Sequence, residues 1–180
     1  MADGCYVAIA ERLSPGGYSY LLVDKGRGTI AACLFDRFHD ERLYLESTVA
    51  FFKCKVGLQW RAEKRFGGTG NYHCVERAVV GNRLYAGEAA EFQDALFGFG
   101  LRYALLSGHL AGGADGSALA YEEAWRHRLS GLNAASLLNR WIYARLGDRG
   151  RQFFFSKFIC IISIRQKLLW KIISFARSLY

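Results

Sequence analysis

Apolar and polar positions alternate in two different rhythms along this chain, and the change of rhythm marks its elements. Cys5-Tyr-Val-Ala-Ile-Ala10 has the short, β-branched and aromatic character of a strand. The Ser14-Pro-Gly-Gly17 turn leads into Tyr18-Ser-Tyr-Leu-Leu-Val23, and Asp24-Lys-Gly-Arg-Gly28 separates that run from Thr29-Ile-Ala-Ala-Cys-Leu-Phe35. Two apolar runs around a glycine-containing loop predict an antiparallel hairpin. From Asp40 to Val56 the period becomes helical. Leu45, Val49, Phe52 and Val56 fall on one face, while Asp40, Glu41, Arg42, Glu46 and Lys53 take the other, and Gly57 supplies a stop. A second strand pair is expected at 74–80 and 83–86 around Gly81-Asn82. Beyond it the pattern is helical, over about 98–111, 118–130, 132–146 and, after a break at Gly150, 151–178. Strands interrupted by one helix and followed by a helical block predict an α+β chain or a mixed α/β piece.

Composition narrows the function classes. The 180 residues are 52% hydrophobic and 15% aromatic, enough to build a core. The net charge of +8 suggests nucleic acid until it is located: 151–180 holds Arg151, Lys157, Arg165, Lys167, Lys171 and Arg177 with no acid, leaving 18 basic against 16 acidic residues in 1–150. The body is nearly neutral, so the charge belongs to the tail and no nucleic-acid partner is expected. No run approaches the roughly 20 apolar residues of a membrane span. The opening Met1-Ala-Asp-Gly4 lacks a basic n-region, so a cytoplasmic location is expected.

Cysteine and histidine chemistry is sparse. Cys5, Cys33, Cys54, Cys74 and Cys160 form no CxxC pair and are expected to be small buried residues in a reducing compartment. His39, His73, His109 and His127 show no metal-ligand spacing, so no metal is expected. No P-loop is present, and no catalytic acid or base stands out.

The stretch from Arg83 to Ala111 carries more chemistry. A short apolar run enters Gly87, Glu88 follows at once, and Gly98 and Gly100 open a helix. Glycine permits close backbone approach, a carboxylate accepts hydrogen bonds from sugar-like hydroxyls, and the N–H groups of a helix start favour an anionic oxygen. Gly100, Ala104 and Gly108 make a stripe of small residues that allows either a cofactor or plain tight packing.

Gly87-Glu-Ala-Ala90 with Gly98-Phe-Gly100 resembles the second flavin-binding motif of para-hydroxybenzoate-hydroxylase-type flavoproteins, whose usual form is Gly-Asp-Ala-Ala, Pro, then Gly-x-Gly opening a helix. Among these the chain looks most like geranylgeranyl reductases. Pro15-Gly-Gly-Tyr-Ser-Tyr20 is similar to their substrate-domain signature, and Arg65-Phe-Gly-Gly-Thr-Gly70 stands where their chain returns to the cofactor domain. Tyr121, Trp125 and the stretch to Gly150 are similar to their helical cap. The resemblance implies FAD as cofactor. Gly87, Glu88 and Ala89 would lie along the ribityl chain, and the N–H groups of Gly98, Phe99, Gly100 and Leu101 would face the flavin N1–C2 edge. Tyr18, Tyr20 and Phe97 would line the pocket of a hydrophobic small-molecule substrate. Glu88 replaces the usual Asp, Glu91 a usual Gly, and Ala95 a usual Pro.

The implied division is a substrate-domain sheet and helix over 1–66, the second half of an FAD-binding domain over 67–116, a helical cap over 117–150 and a basic amphipathic tail over 151–180. The GxGxxG unit that would hold the ADP half of FAD has no counterpart, so the chain reads as the C-terminal portion of an α/β flavoprotein. The implied reaction is hydride transfer from flavin to a C=C bond of an isoprenoid-like substrate. A flavin monooxygenase or halogenase shares the same frame. A different class is a noncatalytic truncated domain whose tail contacts a partner or an anionic membrane surface peripherally.

Overall fold

The computed structural model describes residues 3–61 and 63–153. Over these the chain is α+β, with small antiparallel sheets and helices. It divides into two compact units, residues 1–64 with those from Leu146 onward, and Arg65–Arg145. The tail expected as an amphipathic helix over 151–180 lies outside the described residues beyond 153. No helix among the described residues is long and apolar enough to cross a membrane.

In the first unit β1 (Gly4–Ala8), β2 (Tyr18–Asp24) and β3 (Arg27–Cys33) form an antiparallel sheet in that order. The connection between β2 and β3 is tighter than the five-residue loop expected. Asp24 pairs with Arg27, and Lys25 and Gly26 alone turn the chain at φ 48° and 76°. Positive φ at both central residues matches the right-handed twist of the flanking strands. Ser19, Leu21 and Val23 face the helix α1 (Glu41–Val56), where Leu21 and Val23 join Ala8, Leu13, Phe51 and Phe52 in one core. Gly17 is required at the sheet's edge, since a Cβ there would stand 1.9 Å from the Cys33 carbonyl oxygen.

Helix α1 has the expected span, and Gly57 ends it at φ 63° with its N–H donated to Lys53 O. Its buried stripe is rotated by one residue from the expected one. Tyr44, Thr48, Phe51 and Phe52 are buried, while Leu45, Val49 and Val56 are only partly so. The reason is polar. Thr48 is fully buried and its hydroxyl lies 2.8 Å from Ser19 Oγ, which lies 2.6 Å from Ser14 Oγ. A hydroxyl chain at the centre of the interface fixes the helix rotation, and an apolar period does not register it.

In the second unit the expected strand at 74–80 shrinks to β4 (Val79–Val80), paired with β5 (Arg83–Leu84). Val75 and Ala78 donate their N–H groups to the side chains of Asn133 and Glu122 instead of to a neighbouring strand. Helix α2 (Leu101–Gly113) starts three residues later than expected, because Gly98 at φ 74° closes a turn by donating its N–H to Asp94 O. Ser117 caps α3 (Ala118–Trp125), its hydroxyl accepting from Ala120 N–H. A five-residue π turn, Arg126–Ser130, then carries the chain without interruption into α4 (Gly131–Arg145). The residues of 67–116 and the helices after them share one core, in which Phe92, Tyr121, Trp125 and Leu129 are fully buried. The break expected at Gly150 falls at Leu146, with helical residues again from 147 to 153.

The cysteines differ from expectation. Cys5, Cys54 and Cys74 are exposed thiols and Cys33 is half-buried. Cys5 lies on the sheet face away from α1, and Cys54 lies on the solvent side of that helix.

Candidate functional site

The turn between β5 and α2 is built almost wholly from backbone bonds and short side chains. Tyr85 donates to Ala78 O at 2.8 Å, then Ala86 is extended and Gly87 turns at φ 58°. Gly87–Ala90 forms one tight turn, closed by Glu91 N–H to Glu88 O and Phe92 N–H to Gly87 O, both 2.9 Å. Glu91 leaves it in the left-handed region at φ 57°, a conformation that glycine adopts more easily. Phe92 then plunges into the core, its ring 5.1 Å from Trp125.

Asp94 organises the second half of the turn. Its carboxylate accepts from Phe97 N–H at 3.0 Å and its carbonyl from Gly98 N–H at 2.7 Å, while its own N–H goes to Phe99 O at 3.0 Å. Helix α2 follows with no side chain capping its start. Its first N–H groups therefore carry the positive end of the helix dipole near Gly100 and Leu101.

Helix α2 also holds the turn from behind. Gly87 N–H donates to Ser107 Oγ at 2.8 Å, and that hydroxyl donates to Tyr103 O at 2.7 Å. A Cβ on Gly87 would meet Ala104 Cβ at 3.1 Å, so strand end and helix touch at van der Waals distance. Tyr121 donates to Tyr85 O at 2.6 Å. Burial, then the charge of Glu122, push the Tyr121 phenol up to about 12, against the opposing effect of a hydrogen bond with Ser107. Tyr121 is thus a neutral donor throughout the physiological range. Ala95 N–H is taken by Ser136 Oγ at 3.2 Å, and Arg140 reaches Leu96 O at 3.1 Å.

Of the residues expected to hold a cofactor, Gly87 is buried and its N–H engaged by Ser107, while Glu88 and Ala89 are exposed. Phe99 and Leu101 are exposed, and a Cβ on Gly100 would touch only Gln93 Cβ, at 3.9 Å. Gly98, expected to offer its N–H outward, donates it to Asp94 within the turn. Phe97 is partly buried, 5.6 Å from the Tyr143 ring and 6.0 Å from Phe99.

Two further residues belong with them. Gln93 is 6% exposed and its Nε2 donates to Asn71 O. Glu88 Oε1 and Gln93 Nε2 both lie 3.5 Å from where a Cβ on Gly70 would stand. Glycine at position 70 therefore lets the Gly67-Gly-Thr-Gly70 loop approach the Glu88 carboxylate. Neither Gln93 nor Ser107 carries a recognisable spacing, although Ser107 borders the small-residue stripe.

Tyr18 and Tyr20 belong to the first unit. They stack on the face of β2 away from α1, with centroids 6.2 Å apart and planes inclined by 27°. Partial burial, then Cys33 and Cys5 nearby, raise the Tyr20 phenol pKa. Burial raises the Cys33 thiol, opposed by a hydrogen bond with Tyr18. No cluster of His, Cys, Asp and Glu able to hold a metal occurs among the described residues.

The second unit therefore presents an exposed carboxylate, a glycine loop and an uncapped helix start around one turn. That set suits a ligand bearing both hydroxyls and an electron-rich oxygen. No family model, curated protein or solved structure matches the chain.

Proposed function

We propose that the chain is the C-terminal part of a flavin-dependent oxidoreductase resembling geranylgeranyl reductases, acting on a hydrophobic, isoprenoid-like substrate. One observation carries this reading. The turn from Gly87 to Leu101 joins an exposed carboxylate to an uncapped helix start, and adopts positive φ at Gly87, Glu91 and Gly98. Position 91 is a glycine in the motif it resembles, and a φ of 57° is a conformation in which glycine is favoured.

FAD fits this donor set in part. Glu88 would accept hydrogen bonds from ribityl hydroxyls, and the Gly100 and Leu101 N–H groups would face the N1–C2 edge. Gly98 contributes the turn's shape and not a free N–H. Bound there, the flavin would supply two-electron hydride chemistry. The chain's own part is to fix the turn, to place positive potential at the start of α2, and to surround the site with the apolar rings of Phe97 and Phe99.

A second reading is favoured by the back of the turn. Ser107 accepts the Gly87 N–H, Phe92 N–H donates to the Gly87 carbonyl and Ala104 packs against it, so Gly87 is satisfied without any ligand, as a noncatalytic domain would require. Expression of the chain together with its upstream coding sequence separates the two. Copurifying flavin absorbance, lost at least about tenfold in affinity on Glu88→Ala with unchanged melting, supports the oxidoreductase. A colourless product on which added FAD has no effect supports the noncatalytic domain.

A further inference from the structure

Helix α4 is amphipathic with its faces reversed. The side turned toward the protein holds polar groups. Asn133 and Ser136 are buried and accept the N–H groups of Val75 and Ala95, and Arg140 donates to Leu96 O. At 3.6 residues per turn the opposite side carries Ala134, Ala135, Leu138, Trp141 and Ile142 in one continuous strip. All five are exposed, Leu138 at 57%, Trp141 at 56% and Ile142 at 41%. A surface helix ordinarily turns its apolar strip inward. Here the polar side is spent on holding the chain of 71–97, and an apolar strip centred on Leu138 is left outside.

The charge around this strip has one sign. No acidic residue occurs between Ala124 and Gly147. Arg128 precedes the helix and Arg145 ends it, both exposed, and among the described residues no carboxylate pairs with either. Arg145 stands 3.7 Å from the Trp141 ring centroid and donates one N–H to Trp141 O at 3.0 Å. The flanking acids lie elsewhere. Glu122 is taken by Arg126, Trp125 and Ala78, Glu123 is on α3, and Asp148 follows the break at Leu146. Glu76 and Asp94 belong to the segments bound on the inner side of α4, and the Asp94 carboxylate accepts from Phe97 N–H. Two copies of such a strip would bring like charges together, whereas an anionic surface satisfies the apolar strip and its cations at once.

We propose that α4 lies along the surface of an anionic membrane, with Leu138, Trp141 and Ile142 entering the boundary between headgroups and acyl chains. Arg128 and Arg145 meet lipid phosphates at its two ends. The helix is about 22 Å long, shorter than the roughly 30 Å hydrocarbon core, and its other side is bonded to the protein, so it rests in the interface and does not span. A tryptophan with a guanidinium stacked on it suits this depth, the indole taking the apolar side and the cation the wet one. A flat lipid surface accepts a protruding strip without the matching groove that an acidic protein would need. The proposal is independent of the flavin reading, since no residue of the 87–101 turn takes part, and it assigns the contact to an element other than the tail at 151–180.

Co-sedimentation of the full chain with vesicles tests the proposal, with phosphatidylglycerol mixed into phosphatidylcholine in one set and phosphatidylcholine alone in the other. The expected result is partitioning at least about tenfold stronger onto the anionic vesicles, weakening as salt rises. The double variant Leu138→Asp, Ile142→Asp should lower it at least about tenfold while the melting temperature holds, because both positions are exposed. Arg128→Gln with Arg145→Gln, which leaves the apolar strip intact, should reduce the preference for phosphatidylglycerol. Brominated lipid should quench the emission of the parent more than that of Trp141→Phe. Anionic-vesicle binding that both double variants retain in full would assign the contact to the tail and overturn the proposal. Absence of binding to the anionic vesicles, with or without self-association of the chain, would overturn it as well.

Discussion

The two units satisfy their backbones by different means. In the first, three strands pair along a regular ladder from Gly4 to Cys33, and side chains tie the sheet to α1. In the second, the sheet is only two residues deep, and helix side chains grip the irregular chain of 71–97 directly. Asn133 takes Val75 N–H, Glu122 takes Ala78, Ser107 takes Gly87 and Ser136 takes Ala95. On the carbonyl side Tyr121 holds Tyr85, Arg126 holds Glu76 and Arg140 holds Leu96. A ladder distributes its hydrogen bonds over many equivalent pairs, whereas each of these pins is single and irreplaceable. The second arrangement pins the back of the turn through single side chains and leaves Glu88, Ala89 and Phe99 exposed on its front.

This contrast is open to direct attack, beginning with the core on which the pins stand. Trp125→Ala removes a fully buried ring packed on Phe92 and should lower the stability of the second unit by about 3–5 kcal/mol, read by urea unfolding.

Glu122→Ala should cost about 1–3 kcal/mol, because it leaves the Ala78 N–H and the Trp125 indole N–H without an acceptor. The same residue sets a pH dependence. Burial pushes the Glu122 carboxyl up, but hydrogen bonds from Trp125, Ala78 and Arg126, with the Arg126 charge, bring it below its ordinary 4.5. A carboxyl lowered on folding stabilises the protein fully above its unfolded pKa, and that contribution fades as pH falls through the lowered folded value. Melting followed downward from neutral pH should therefore drop below about 4.5, and Glu122→Gln should flatten that limb.

Ser107→Ala removes the one acceptor for Gly87 N–H and should cost about 1–2 kcal/mol, measured by thermal unfolding. The smallest expected effect has the opposite sign. Glu91→Gly relieves a non-glycine residue at φ 57° and should raise stability by about 0.5 kcal/mol, net of its exposed contact with His73. A loss of stability there would mean that the His73 contact outweighs the backbone strain.

What the sequence made legible follows the same division. The hairpin and the span of α1, with its Gly57 stop, could be read because alternation and helical period are local properties of the chain. The rotation of α1 could not, since Thr48 is a polar residue at the centre of a buried face. In the second unit the glycine pattern at 87–100 marked the turn, although α2 begins three residues later than that pattern predicts. The pins were not visible. Asn133 lies 58 residues from Val75 and Glu122 lies 44 from Ala78, so no periodicity connects them. The same side chains account for the shortened strand at Val79–Val80, because they occupy donors that a longer ladder would have used.

Amide hydrogen exchange across 71–101 tests most directly whether helix side chains, and not a ladder, hold this turn. The account predicts slow exchange at Val75, Ala78, Gly87 and Ala95, all outside regular strands, with Ser107→Ala releasing Gly87 while Ala78 stays protected. Exchange of these four amides at the rate of an open loop, while the β2 amides remain protected, would contradict it.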